Sequence, residues 1–211
     1  MIYTPFTEKG AAFYDRFYAE DHPAGACGAV YDQALEFLGR FQSPSVLEVG
    51  CGLGDLARRI TQQGIPYRGF DLSPVAVDRC RSAGLSVRVA SAYDPEAYEP
   101  VDYSVIVAID VFEHLDDRRA AALFPRGAHV IFSVPDFVET SHLRAYQDPD
   151  RDIVDYFRGQ LTVCEIVPFR FTGPDGHPLT IRVAHAVVGE GSCPGPTRLH
   201  RSTEPAGRGS C

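Results

Sequence analysis

The sequence predicts an α/β chain: a mostly parallel sheet covered by helices on both faces and closed by an antiparallel hairpin. Two observations carry this. From Ser45 onward, five short apolar, β-rich runs alternate with helical stretches, the order that builds a parallel sheet buried on both sides. Near the end, LTVCEIVPFRF (161–171) and LTIRVAHAVV (179–188) flank Gly173-Pro174-Asp175-Gly176, which reads as two antiparallel strands and their turn.

The elements follow in order. The first forty residues read as helical. Phe13 and Phe17, and Tyr14 and Tyr18, repeat at i, i+4, and a stretch over 28–41 places Val30, Ala34, Leu35, Phe37 and Leu38 on one face. Asp21-His22-Pro23-Ala24-Gly25 separates the two. The first core strand is VLEV (46–49), followed by a helix from Asp55. PYRGF (66–70) leads to a helix that Ser73 caps with Pro74 at its first position. LSVRVA (85–90) and YSVIVAI (103–109) are the next strands, then a helix near 116–123, AHVIFSV (128–134) and a helix near 148–158. Residues 189–211 are rich in Gly, Pro, Ser and Arg and are expected to be a disordered tail. The expected organisation is a helical N-terminal cover of the site (1–44), a core (45–188) and that tail.

At 211 residues the chain has the size of one domain, and its 45% apolar and 23% charged content excludes wholesale disorder. Apolar runs stay well short of a membrane span, and Met1 is followed by a polar, acid-containing stretch. A membrane span and a secretory leader are therefore not expected, and the chain reads as cytoplasmic. A net charge of −8 speaks against a nucleic-acid partner. Cys27, Cys51, Cys80, Cys164, Cys193 and Cys211 form no CxxC pair and are read as reduced thiols.

The chemistry is concentrated in Glu48-Val49-Gly50-Cys51-Gly52-Leu53-Gly54-Asp55. A buried strand carries a carboxylate near its end, and a loop with three alternating glycines then opens a helix. That place, beyond the carboxyl end of a parallel strand, is where open α/β sheets bind ligands. Asp55 stands where a pyrophosphate loop would have its last glycine, and a negative charge there opposes phosphate. No Gly-Lys-Ser/Thr follows, so a P-loop fails too. Asp71 ends the second strand about 20 residues beyond the first glycine, the position of a carboxylate that holds ribose hydroxyls. The ligand so described contains a nucleoside and needs no phosphate.

With these residues the sequence resembles the class I S-adenosylmethionine-dependent methyltransferases over roughly 45–188. ExGxGxG at 48–54 looks like their cofactor loop, Asp71 like their ribose-binding acid, VDYSVIVAIDVFEHL (101–115) like their fourth strand, and SVPDF (133–137) like the end of their fifth. The resemblance implies a Rossmann-like sheet of seven strands, the last antiparallel. It also implies a cofactor site drawn from Glu48, Gly50, Cys51, Gly52, Gly54, Asp71, Leu72, Ser91, Ala92 and Ile109. One departure stands out: where the family often has Asp near the adenine, this chain has Ala90-Ser91-Ala92-Tyr93-Asp94, leaving Ser91 or a shifted Asp94.

Methyl transfer from a sulfonium needs alignment and, for a hydroxyl acceptor, deprotonation. The groups for that work follow the fourth strand: Asp110-Val111-Phe112-Glu113-His114. Three readings stand. They form an ordinary acidic helix start, or a metal-free site with His114 as general base, or a site for Mg²⁺ or Mn²⁺ held by Asp110, Glu113 and His114. The segment is similar to the [DE]xxEH segment of ubiquinone-biosynthesis O-methyltransferases and of terminal 2′-O-methyltransferases of small RNAs. That similarity implies a metal that orients the acceptor hydroxyl, with His142 as fourth ligand and Glu113 and His114 at the reaction. The expected activity is methylation of a small molecule, preferentially on oxygen. The alternatives are an RNA 3′ end as substrate and a cofactor-binding protein without catalysis. Tyr14, Phe17, Tyr18 and His22 read either as a lid or as helix packing.

Overall fold

Val46–Val49 (β2) is buried at every position and lies inside the sheet of this computed structural model, which describes residues 1–20, 28–173 and 175–193. On one side β2 pairs in parallel with β3 (Tyr67–Asp71), which pairs with β4 (Val87–Val89). On the other it pairs with β5 (Val105–Ala108), then β6 (His129–Pro135), all parallel. The hairpin of β8 (Leu161–Thr172) and β9 (Pro178–Val188) completes the sheet antiparallel to β6, giving seven strands in the order β4-β3-β2-β5-β6-β9-β8. The order reverses between β2 and β5, so the loops after these two strands diverge and leave a crevice between them.

Helices cover both faces. Helix α2 (Gly28–Leu38) lays Val30, Ala34, Phe37 and Leu38 on β2, β5 and β6, together with Leu56 and Ile60 of α3 (Asp55–Gln62). On the opposite face Phe112, Phe124, Phe132, Tyr146, Ile153 and Phe157 form an aromatic core. Helix α4 (Pro74–Ser82) starts as its sequence predicts, with Ser73 Oγ accepting the Ala76 N–H at 3.2 Å. The short α5 is Asp117–Ala121.

Four expectations change. The N-terminal forty residues are not all helical: residues before α1 (Ala11–Ala19) are extended, and Ile2–Tyr3 (β1) pairs antiparallel with Arg144–Ala145 (β7). Pro5 and the lack of apolar periodicity before Ala11 favour this extended run. Both helices reach the crevice, α1 through Phe13, Tyr14, Phe17 and Tyr18 and α2 through Tyr31, while most of α2 packs as a core helix. The helix near 148–158 is a single wide π-type turn over Asp150–Asp155. The fourth change concerns the thiols. Cys164 and Cys193 are joined by a disulfide, their Cα atoms 5.4 Å apart. Cys164 is the extra residue of a bulge between Val163 and Glu165 on the edge strand β8. Past β9 the chain returns beside it, where Thr162 Oγ1 donates to the Gly189 carbonyl at 2.6 Å, so two cysteines distant in sequence meet. Residues 189–193 of the expected tail are thus fastened to β8, while Cys27, Cys211 and the remainder of that tail lie outside the described residues.

Candidate active site

The crevice opens into a cavity of about 570 Å³ at the carboxyl edge of β2, β3 and β5. Its floor is the glycine loop. Gly50 and Gly52 have φ of 68° and 50°, in the left-handed region that favours glycine. A Cβ at Gly50 would come within 2.7 Å of Val111 Cγ2, and one at Gly52 within 3.1 Å of the Tyr18 hydroxyl. Gly54 differs from the other two. It lies off the cavity wall, and its missing Cβ makes room for Leu85 Cδ1 and Cys80 Sγ (2.6 and 2.8 Å), so it packs the loop onto α4.

Asp71 is buried at the end of β3 and fixes the loop. Its Oδ2 accepts the Gly52 N–H at 2.9 Å and its Oδ1 the Ser73 N–H at 2.8 Å. Burial raises its pKa, against the lowering effect of those backbone donors. Glu48, buried inside β2, accepts the Tyr67 hydroxyl at 2.6 Å, and burial pushes its carboxyl up to about 8. The cavity wall includes Glu48, Gly50, Cys51, Gly52, Asp71, Leu72, Ser91, Ala92 and Ile109, each expected from the sequence. Of the two adenine alternatives, Ser91 is on the wall, while Asp94 is turned to cap the Glu96 N–H at 3.0 Å.

Directly after β5 the backbone turns sharply. Asp110 has φ of 60°, unusual outside glycine, and its N–H donates to Ser133 Oγ at 2.8 Å. Ser133 is the one hydroxyl in β6, set among Val130, Ile131, Phe132 and Val134, and that contrast marks it in the sequence. Glu113 and His114 follow on one 3₁₀ turn, Phe112–His114. His142 arrives from beyond β6, held by the Leu143 N–H on the Glu113 carbonyl (2.7 Å) and by Thr4 Oγ1 on its own carbonyl (2.6 Å). One ligand atom from each of Asp110, Glu113, His114 and His142 lies within 4.8 Å of the others.

The donor set fits a divalent ion. His114 Nδ1 donates to the Ser141 carbonyl and His142 Nδ1 to the Phe137 carbonyl, both at 3.2 Å, which orients each ring, and His114 Nε2 lies 3.7 Å from Asp110 Oδ1. Glu113 is 2% exposed, and its Oε2 has no hydrogen-bond partner in the protein. Burial and then the Asp110 charge push the Glu113 carboxyl up to about 8. For His114, burial acts downward, but its contact with Asp110 and the charges of Glu113 and Asp110 lift it to about 9. His142 is pushed down to about 4 by burial and by the neighbouring His114.

The cover and outer wall come from elsewhere. Tyr14, Phe17 and Tyr18 of α1 line the cavity, so the lid reading of these residues agrees with the geometry, and Tyr14 meets the His114 ring edge-on at 6.4 Å. His22 lies outside the described residues. The sequence reading missed Phe137, Phe171, Leu179 and Ile181, which form an apolar wall where the long hairpin rises past the sheet edge. His177 at the hairpin tip is not part of it.

Comparison with known proteins agrees with this geometry. A family model described as "Methyltransferase domain" matches residues 18–161. A ubiquinone biosynthesis O-methyltransferase of Alkalilimnicola ehrlichii is 28% identical over 129 residues, covering 53% of this chain and 52% of that protein. The chain spans about half the length of the curated relatives it matches. Among solved structures, a SAM-dependent methyltransferase from Anabaena variabilis superposes with a TM-score of 0.65 at 14% identity, covering 88% of this chain and 98% of that one. The magnesium protoporphyrin IX methyltransferase of Synechocystis, solved with bound SAH, gives 0.59 at 14% identity, covering 85% and 96%. The glycine loop, the carboxylate after β3, the strand order and the matched family model converge: the chain belongs to the methyltransferase-domain family and has the fold of the class I S-adenosylmethionine-dependent enzymes.

Proposed function

We propose that the protein transfers the methyl group of S-adenosylmethionine to a hydroxyl of a small molecule, with a divalent ion, Mg²⁺ or Mn²⁺, at the acceptor. The observation that carries this is the four-residue donor set on the wall of the cofactor cavity. S-adenosylmethionine supplies a methyl already activated on a sulfonium, and a divalent ion eases loss of a proton from a coordinated hydroxyl. The loop of Gly50, Cys51 and Gly52 leaves space for the cofactor, Asp71 accepts from its ribose, and Ser91 and Ala92 border its base. Asp110, Glu113, His114 and His142 would hold the ion, which would lower the pKa of a hydroxyl brought to it. Tyr14 and Tyr18 exclude water from above, while Phe137 and Phe171 offer a flat apolar surface to an aromatic acceptor. A catechol or another vicinal diol would suit the site, since its paired hydroxyls offer oxygen donors that a divalent ion favours.

The net charge of −8 and the carboxylates at the cavity favour a small molecule over an RNA 3′ end. Among the described residues no helix is long and apolar enough to cross a membrane. Dependence on S-adenosylmethionine supports a cytoplasmic setting. Transfer of labelled methyl to a catechol in the presence of Mn²⁺, abolished by EDTA and restored by the ion, is the expected result. Calorimetry showing no binding of S-adenosylhomocysteine would refute the reading at its first step.

A further inference from the structure

We infer that Cys51 and Cys80 form an oxidisable dithiol beneath the glycine loop, a modification site for peroxide whose disulfide form closes the cofactor end of the cavity. The effect on the cofactor rests on the function proposed above, whereas the dithiol itself rests on geometry alone.

Among the described residues these are the two cysteines left as free thiols, and both are buried, at 6% and 0% exposure. They pack in one small cluster with Ala57, Val77, Leu85 and Val87 between the loop, α3 and α4. Cys80 Sγ donates to the carbonyl of Gly52, the residue next to Cys51, at 3.3 Å. Through Cys80, α4 is thus tied to the loop residue beside Cys51, within the cluster that holds both thiols. Cys51 also lines the cavity, so a molecule as small as peroxide reaches the pair through the space that the cofactor would fill.

The thiolate is the nucleophile in thiol oxidation, and Cys51 is the member of the pair on the cavity wall. The step balances. One sulfur attacks the peroxide O–O bond and becomes a sulfenic acid with release of water. The second sulfur displaces the hydroxyl, forming the S–S bond and a second water, so two thiols are oxidised and one peroxide is reduced.

The loop cannot absorb the new bond without loss. A disulfide holds its two sulfurs about 2.05 Å apart. Cys51 lies between Gly50, confined by Val111, and Gly52, confined by Tyr18. Its carbonyl accepts the Gly54 N–H at 2.9 Å, and the Gly52 N–H binds Asp71 Oδ2 at 2.9 Å. Pulling Cys51 toward α4 removes the Cys80 contact from the Gly52 carbonyl and shifts the N–H that positions Asp71.

The test treats the whole protein with hydrogen peroxide, with and without S-adenosylhomocysteine, then alkylates free thiols and maps peptides without reduction. The expected result is a Cys51–Cys80 cross-link that forms more slowly with the ligand bound. Calorimetric affinity for S-adenosylhomocysteine should fall by about tenfold or more and recover on reduction. A Cys80→Ala variant, shown to be folded by circular dichroism, should form no cross-link, and its affinity should not respond to peroxide. The inference is overturned if both cysteines are recovered alkylated, if each is oxidised separately to a sulfinic acid, or if the cross-link forms and affinity is unmoved. Should the untreated protein bind no S-adenosylhomocysteine, the proposed function fails, and the peptide map still decides whether the dithiol is oxidised.

Discussion

At the edge of the sheet where β2, β3 and β5 end, His114 and His142 meet with ring centroids 4.9 Å apart. At the opposite edge, where β6 begins, His129 and His185 meet at 5.2 Å. The first pair spends one nitrogen of each ring on a backbone carbonyl and presents the other beside two carboxylates in an open cavity. The second pair spends its nitrogens on each other, with Nδ1 of His129 and Nε2 of His185 3.0 Å apart, and is packed under Phe37 and Phe41. Identical side chains in similar contact thus have different uses. Orientation by the backbone and the sign of the neighbouring charge make the difference: Asp110 and Glu113 at one edge, Arg40 at the other.

The comparison breaks most sharply on activity. His114→Ala should lower methyl transfer by about 10²–10⁴-fold, whereas His185→Leu should leave it within about a factor of two when the folded fraction is matched. Equal losses in labelled-methyl assays would show that the two pairs are not distinct. For the ion, Glu113→Ala should weaken Mn²⁺ binding, read by calorimetry or electron paramagnetic resonance, by about 10–100-fold or more. His185→Leu should not change it.

Stability should reverse the ranking. Burial, with the charges of His129 and Arg40, pushes His185 down to about 4 from 6.5, so between those values the unfolded chain takes a proton that the native state refuses. Its contribution therefore falls as pH drops from about 6.5 toward about 4, by on the order of 1–3 kcal/mol. Glu48, pushed up to about 8, slopes the other way as pH rises, so the difference between wild type and His185→Leu in urea unfolding isolates the histidine. A pH-independent difference would contradict this assignment. At the glycine loop, Gly54→Ala should destabilise by about 1–2 kcal/mol, because φ is 79° and Leu85 occupies the space. The smallest effect expected is that of Arg40→Ala. Its ion pair with Glu165 at 2.7 Å is partly exposed and should contribute about 1 kcal/mol or less by double-mutant cycle.

Much of the fold was legible because it is written in short-range patterns. The apolar runs from VLEV to AHVIFSV, the Ser73-Pro74 helix start and the antiparallel pair β8–β9 each reflect a local rule and each appear in the structure. The extended segment before α1 and the β1–β7 pair were not legible, because two-residue strands carry no periodicity. At the site, the loop at 50–54 and the Asp110–His114 run were readable from spacing. The outer wall was not, since Phe171 and Leu179 look like any hairpin residues until the hairpin outgrows the sheet.

The sequence alone determined the α/β class, the position of the cofactor loop and the group of acids and imidazole after β5. These depend on residues within a few positions of one another. Only the tertiary structure decided that His129 meets His185, that Gly54 packs the loop while Gly50 and Gly52 face the cavity, and that Cys164 bonds Cys193 while Cys51 and Cys80 stay thiols in one buried cluster. The physical reason is common to all three. Hydrophobic period and turn chemistry act along the chain, whereas which side chains meet is set by strand order, register and a single bulge.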